Sequence, residues 1–334
     1  MSFAKLLVNL PPGFHQVPQL APVYERLAQR FELRRTSHNA PAEIADDLAW
    51  ADAVLMWSWP ALDDALLDSA PGLGMSAQLD VGGAAARVAL RRGFPVSVAR
   101  GGFSPAVAEF ALGLILSGLR RISDYHAQMR VGSEPWVRSY PDDIDPRERE
   151  LTGASVGLIG FGGVGRRLAE LLGPFRCDLR IHDPFVAPEP VAKAGGRLVD
   201  IAELSAESEV VVLCAANNAG TQHVLDAAAI DRLRPGALVV NVARSALIDG
   251  EALARRVAAG EVTACLDVFD TEPLPADSPW RSLAGAYLTP HRAGGLHSST
   301  RRILEALADD LEAWLDGRPR QHALTEAMLP GLDG

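Results

Sequence analysis

The run Gly160-Phe161-Gly162-Gly163-Val164-Gly165 follows the apolar stretch Val156-Gly157-Leu158-Ile159 and carries the spacing G-x-G-x-x-G. In that spacing the first glycine makes a tight turn, the second lets main chain approach a pyrophosphate, and the third lets helix and strand pack closely. A helix over residues 164–172 would present free N–H groups and the positive end of its dipole to the phosphates. Asp183 stands eighteen residues after Gly165, at the end of the strand-like Leu179-Arg180-Ile181-His182. A carboxylate there can accept hydrogen bonds from ribose hydroxyls and repels a 2′-phosphate, which reads as NAD rather than NADP. The competing reading makes Asp183 a turn residue before Pro184. Arg180 belongs to the strand and is poorly placed to clamp a phosphate.

Three further polar residues follow strand-like segments downstream: Arg244 in Asn241-Val242-Ala243-Arg244, Glu272 in Asp270-Thr271-Glu272-Pro273, and His291 in Thr289-Pro290-His291. Open α/β sheets bind ligands beyond the carboxyl ends of their strands. An arginine can hold a carboxylate bidentately and polarise the neighbouring carbonyl. A histidine exchanges protons near neutral pH, and a glutamate beside it favours the protonated ring. Together these are the parts needed to reduce a 2-keto acid by hydride transfer. A histidine alone at a strand end reads more simply as a structural imidazole; the other two residues in register favour the acid/base role. His182 reads as a solvated neighbour of Asp183, and His297 as a surface residue at a helix start.

These groups need rigid elements to hold them. Strands are expected at 6–10, 32–35, 53–57 and 95–98, with helices at 22–30, 42–50, 62–69 and 82–92 between them. Such alternation argues for a parallel sheet covered on both faces. From Pro105, the apolar residues Val107, Ala108, Ala111, Leu112, Ile115 and Leu116 form the stripe of a long buried helix. Residues 132–150 are polar and Pro-containing, and read as a long surface connection. A second alternation then places strands at 156–160, 178–182, 210–214, 237–241, 264–268 and 286–288, with a last helix at 299–315. The fold class expected is α/β with two doubly wound parallel-sheet domains.

The whole-chain numbers agree. The 334 residues carry 32 Lys+Arg against 42 Asp+Glu, a formal charge of −10, with 48% hydrophobic and 22% charged residues. That composition excludes a disordered or fibrous chain, and the acidic balance argues against a nucleic-acid surface. The apolar stretch 106–119 contains Glu109 and is too short to span a bilayer. Cys177, Cys214 and Cys265 lie far apart, with neither metal-ligand spacing nor a paired framework. With Met1-Ser2-Phe3-Ala4-Lys5 running straight into a strand, these features lead us to expect a cytoplasmic protein without a metal site.

The order and wording of six blocks resemble the D-isomer-specific 2-hydroxyacid dehydrogenase family, which contains phosphoglycerate dehydrogenase and hydroxypyruvate reductase. They are Leu151-Thr152-Gly153, the glycine run 160–165, His182-Asp183-Pro184, Asn241-Val242-Ala243-Arg244, the stretch Leu266-Asp267-Val268-Phe269-Asp270-Thr271-Glu272-Pro273-Leu274-Pro275, and Leu288-Thr289-Pro290-His291-Arg292-Ala293-Gly294-Gly295. The match is specific over roughly 150–300 and weaker over the first hundred residues. The resemblance implies an NAD-dependent interconversion of a 2-keto acid and its D-2-hydroxy acid. Arg244 would orient and activate the substrate, Glu272 would pair with the histidine, and His291 would be the acid/base. Asp267 would hold the nicotinamide carboxamide. Gly160, Gly162, Gly163, Val164, Gly165, Asp183, Ala216, Thr221, Val242, Ala243 and Gly294 would line the cofactor. The resemblance also implies a Rossmann domain (104–296) inserted into a flavodoxin-like substrate domain (1–103 and 297–334). It further implies a homodimer, with the apolar face of the helix from Pro105 in the interface; a purely intramolecular helix is the alternative.

The sequence leaves the family's wording where the substrate would bind. The loop expected to cradle a carboxylate falls at Gln78-Leu79-Asp80-Val81-Gly82-Gly83. Gly82 and Gly83 could form a displaced cradle, but Asp80 would repel an anion. The next loop reads Arg100-Gly101-Gly102-Phe103, adding a cation and replacing an amide with an apolar ring. Trp57-Ser58-Trp59 stands where members often carry Arg-Ser, which suggests a bulkier or more apolar substrate, or two indoles packed in a core. Trp57, Ser58, Gly82, Gly83, Arg100 and Phe103 are therefore the candidate substrate residues. Cys214 stands where members carry a histidine, with no basic neighbour in sequence to make it a reactive thiol. Two other functions stay open: oxidation of a phosphonate-type anion, which Arg100 would favour, and a non-catalytic NADH sensor.

Overall fold

The computed structural model describes residues 3–99 and 101–332. The chain divides into two compact units, Met1–Phe103 with Gly295–Gly334, and Ser104–Gly294. The first holds five parallel strands, β1 (Ala4–Asn9), β2 (Phe31–Thr36), β3 (Ala53–Met56), β4 (Met75–Gln78) and β5 (Val96–Val98), in the order β2-β1-β3-β4-β5. That order is flavodoxin-like. The strand β1 explains why both faces are covered. Leu6 and Val8 point into a core completed by Ile303, Leu304, Leu307 and Leu311, whereas Leu7 points into the opposite core with Ile44, Leu48 and Leu66. Two-sided burial with alternating direction is the requirement of a central parallel strand. The helix His297–Leu315 supplies the first core through residues spaced three and four apart. Its buried Asp310 accepts from Ser97 Oγ at 2.6 Å and from the backbone N–H groups of Gln321 and His322, so the tail is tied along β5.

The second unit holds seven parallel strands: β6 (Ser155–Ile159), β7 (Asp178–His182), β8 (Gly196–Leu198), β9 (Val210–Leu213), β10 (Leu238–Asn241), β11 (Thr263–Leu266) and β12 (Ala286–Leu288). Their order is β12-β11-β10-β9-β6-β7-β8, so the chain reverses its direction of travel between β6 and β9. That reversal is the switch point at which α/β sheets bind ligands. No helix among the described residues is long and apolar enough to cross a membrane.

The helix Ser104–Arg120 sets one face into its own unit. Its buried residues Ala108, Ala111, Ile115 and Leu119 join the core formed with Val156, Leu168, Leu238 and Cys265. Gly118 shows how tight this packing is, since a Cβ there would lie 2.8 Å from Leu238. Val107, Leu112 and Leu116, the rest of the expected stripe, pack against this core and are only half-buried. Three elements escaped the sequence pattern. The strand β4 reads Met-Ser-Ala-Gln and buries two polar residues, whose side chains bond each other (Gln78 Nε2 to Ser76 Oγ, 3.0 Å). The strand β8 is three residues long and only partly buried. The helix Ile122–Val131 buries no residue, and therefore carries no apolar stripe.

Candidate active site

At the carboxyl end of β6 the chain turns through Gly160, whose φ is +96° and whose Cβ, if present, would lie 2.5 Å from Ala215 main chain. Only glycine satisfies both constraints. The helix Gly163–Leu172 begins at once, and a Cβ on Gly165 would meet the Gly160 carbonyl oxygen at 2.3 Å. Gly162 differs: nothing lies within 4 Å of its notional Cβ, and no side chain caps the helix. An open approach to uncapped N–H groups is the cradle a pyrophosphate requires. Asp183 is half-buried beside it. Its Oδ2 accepts the Phe161 N–H at 2.7 Å and its Oδ1 the Phe185 N–H at 2.9 Å. The turn reading and the ribose reading are therefore compatible, because each oxygen keeps a second lone-pair position. Arg180 is buried and paired with Asp178 and Glu207, away from any phosphate role. These residues fit a dinucleotide.

Glu272 and His291 meet directly: His291 Nδ1 lies 2.7 Å from Glu272 Oε2, and the Phe269 N–H donates to Glu272 Oε1 at 2.9 Å. With Nδ1–H given to the carboxylate, Nε2 is the nitrogen left to exchange a proton. Desolvation pushes the Glu272 carboxyl upward. The hydrogen bonds from His291 and Phe269, with the charges of His291 and Arg244, outweigh it and hold the group below the usual glutamate range. His291 has φ +52°, uncommon for a non-glycine residue. The surrounding loop imposes it. Asp267 is fully buried; its Oδ1 accepts Thr289 Oγ1 at 2.6 Å and the Arg292 N–H at 2.9 Å, and its Oδ2 the Ala293 N–H at 2.8 Å.

Arg244 is exposed at the carboxyl end of β10 and donates one N–H to Ala243 O, its one side-chain hydrogen bond among the described residues. Its turn is braced by Asn241, whose amide donates to Arg244 O at 2.9 Å and accepts from the Ala243 N–H at 3.0 Å. Val242 is buried in that turn, and Ala243 is half-buried. Thr221 Oγ1 donates to Ala216 O at 2.7 Å, closing the loop after β9. Gly294 follows Ala293 at the end of the Asp267-held loop, half-buried. Burial pushes the Cys214 thiol up to about 12, so it is inert as a nucleophile at neutral pH.

The substrate candidates lie in the first unit, past the carboxyl ends of three adjacent strands. Trp57 and Ser58 follow β3. Gly82 and Gly83 open the helix Gly83–Arg91 after β4, and Phe103 follows β5. Trp57 packs edge-on against Phe14 (5.5 Å, 65°) and 5.3 Å from the exposed Trp59, and with Phe103 it borders the core. Asp80 is exposed, with its Oδ1 accepting the Val81 N–H. Arg100 lies outside the described residues.

Sequence reasoning missed the supporting shell of Asn241, Phe269 and Thr289. Only Asn241 left a signal, as an amide residue two positions before a turn N–H, the Asx-turn spacing.

Comparison with known proteins identifies the family. Residues 112–293, more than half of the chain, match the family described as D-isomer specific 2-hydroxyacid dehydrogenase, NAD binding domain. The chain is 28% identical over 294 residues to D-3-phosphoglycerate dehydrogenase of Archaeoglobus fulgidus, covering 87% of this chain and 54% of that protein. It is 35% identical over 222 residues to (S)-sulfolactate dehydrogenase of Chromohalobacter salexigens, covering 66% of this chain and 70% of that protein. Among solved structures it is similar to the NADPH-dependent glyoxylate/hydroxypyruvate reductase of Sinorhizobium meliloti in complex with NADP and malonate. The TM-score is 0.75 at 25% identity, with 98% of each chain covered. The chain spans about half the length of the phosphoglycerate dehydrogenases it matches. With the glycine turn, the Asp183 carboxylate and the Glu272–His291 pair on one sheet, the chain belongs to the D-isomer specific 2-hydroxyacid dehydrogenase family and carries its NAD(P)-binding domain.

Proposed function

We propose that this protein is an NAD-dependent oxidoreductase that interconverts a 2-keto acid and its D-2-hydroxy acid. The observation that carries the reading is the 2.7 Å contact between His291 Nδ1 and Glu272 Oε2, which directs the second ring nitrogen to proton exchange. The glycine turn would hold the pyrophosphate of a nicotinamide dinucleotide, which when bound would supply the hydride or take it up in the reverse direction. His291 Nε2 gives a proton to the substrate oxygen as the carbonyl becomes a hydroxyl, and takes it back in oxidation. Glu272 stays ionised, fixes the ring's orientation and offsets its positive charge. Arg244 holds the substrate carboxylate and polarises the adjacent carbonyl. Asp183 selects NAD by accepting ribose hydroxyls where a 2′-phosphate would be repelled.

The half-buried Trp57 and Phe103 favour a substrate whose side chain is apolar and larger than that of glyoxylate. A second reading, a keto acid with another anionic group, is supported by the similarity to (S)-sulfolactate dehydrogenase. The test is NADH oxidation against a panel running from glyoxylate and hydroxypyruvate to aryl, sulfonate and phosphonate analogues. Turnover lost on substituting His291 supports the dehydrogenase. NADH binding without turnover on any member would replace it with a cofactor sensor.

The working unit is a homodimer, paired through residues 122–144. Seven of the eleven exposed large apolar side chains among the described residues fall there, including Met129, Val131, Trp136 and Tyr140. The root of this arm is tied down: Arg121 pairs with Asp124 and Asp145, and Tyr125 Oη donates to Glu148 at 2.6 Å. The three unpaired cysteines suit a reducing, cytoplasmic setting.

A further inference from the structure

A cavity of about 340 Å³ lies beneath the loop that carries Glu272, on the side of β10 and β11 facing the helix Gly250–Ala258. That volume is in the range of small-molecule sites. Its walls are mostly apolar, formed by Leu253, Leu266, Phe269 and Trp280 among others, and its two charged lining residues are Asp270 and Asp277. Both aspartates are exposed, and neither has a hydrogen-bond or ion-pair partner among the described residues. No Arg, Lys or His lines the cavity. A keto acid or a phosphate would find no cationic side chain there and two carboxylates instead, which favours a cationic occupant. Asn241 and Ser245 face it, whereas the intervening Val242 and Ala243 belong to the turn assigned to the cofactor.

We propose that this cavity binds a small organic cation with an apolar body, such as an aralkyl ammonium, and that its occupancy regulates the His291–Glu272 pair. The apolar body is buried against Trp280 and Leu253 while the ammonium pairs with Asp270 and Asp277, and the indole face adds cation–π attraction. Coupling follows from what the cavity touches. Phe269, in its wall, donates the N–H that holds Glu272 Oε1, and Asn241, at its inner end, braces the Arg244 turn. An occupant that shifts either one changes the geometry of the pair or of the substrate clamp without touching the cofactor turn. The regulatory half of the proposal rests on the dehydrogenase reading above; the binding half does not.

The test uses the full chain and saturation-transfer NMR with 2-phenylethylammonium, alongside 3-phenylpropanoate as a probe of similar shape and opposite charge. The expected result is saturable binding of the cation, no binding of the anion at that site, and no displacement of the cation by NADH. The double variant Asp270→Asn/Asp277→Asn should weaken the cation about tenfold, the loss of two exposed charge pairs. Competition of the anion with the cation, displacement by NADH, or affinity unchanged in the double variant would overturn the site. At saturating cation, kcat/KM for the preferred keto acid should change at least about twofold with NADH affinity unaltered; an unchanged value overturns the regulation. A chain that binds the cation yet reduces no keto acid removes the proposed function and leaves the site standing.

Discussion

The main-chain N–H of His291 donates to the carbonyl oxygen of Asp267 at 2.9 Å, while the Asp267 carboxylate grips Thr289, Arg292 and Ala293 on either side. The candidate acid/base is thus held through its backbone by one residue and through its ring by another, Glu272. A left-handed, non-glycine conformation persists only where the surroundings over-determine it, and here four hydrogen bonds accepted by a single buried aspartate do so.

Replacing His291 should remove proton transfer and little else. His291→Asn is the variant of choice, because asparagine tolerates the positive φ of this position. We expect kcat to fall by about 10²–10⁴ and NADH affinity to stay within a few fold, read by steady-state kinetics and fluorescence titration. Equal loss of both would assign His291 a structural role.

The Glu272 carboxyl is held below its ordinary value, so the sign of its pH effect is set. Stability from the pair is complete above the unfolded-state value and is lost as pH falls through the lower folded-state value. A scan of Tm against pH should show this acid-side loss in the parent and not in Glu272→Gln. The same variant should lower kcat, because a neutral amide no longer offsets the charge of the ring.

Gly162 and Gly165 should respond differently to a single methyl group. Gly165→Ala places a Cβ against the Gly160 carbonyl and should destabilise the fold by about 1–3 kcal/mol, the cost of overpacking. Gly162→Ala meets open space and should keep Tm while weakening NADH at least about tenfold, since its Cβ stands where the pyrophosphate approaches. Parallel denaturation and NADH titration of the two variants separate the roles.

Asp183→Ala should raise the Kd for NADH and relax the rejection of NADPH, narrowing the ratio of their kcat/KM values. The Phe161 N–H loses its acceptor in this variant, so part of the NADH loss comes from a looser turn. An unchanged preference would place the ribose contact elsewhere.

Trp136→Asp with Tyr140→Asp should convert a dimer to a monomer in light scattering while leaving Tm of the isolated chain within a few degrees. Both side chains are exposed and border no core, so a charge there is tolerated by the fold and not by an apolar interface. A dimer that survives the double variant would put the contact on another face.

Local, periodic features were legible without a structure. The alternation of strands and helices, the glycine run before a helix, and the positions of Arg244, Glu272 and His291 after strands all follow from short-range spacing, which the backbone obeys wherever the segment sits. Asp183 and Asp267 were visible as residues, although their hydrogen bonds to Phe161, Thr289 and Ala293 were not. The strands β4 and β8 and the helix Ile122–Val131 were invisible because their burial is polar, brief or absent, and a pattern reads only apolar period.

Other decisions belonged to the tertiary structure. The stripe of Ser104–Arg120 specifies burial but not its partner; its own unit took Ala108, Ala111 and Ile115 and left Val107, Leu112 and Leu116 half-buried. The 2.7 Å pair of Glu272 and His291 joins residues nineteen positions apart, and its geometry depends on the Asp267 grip and the Phe269 N–H. Spacing along a chain selects which residue types can meet. Which nitrogen faces which oxygen is decided by packing that brings separate strands to one edge.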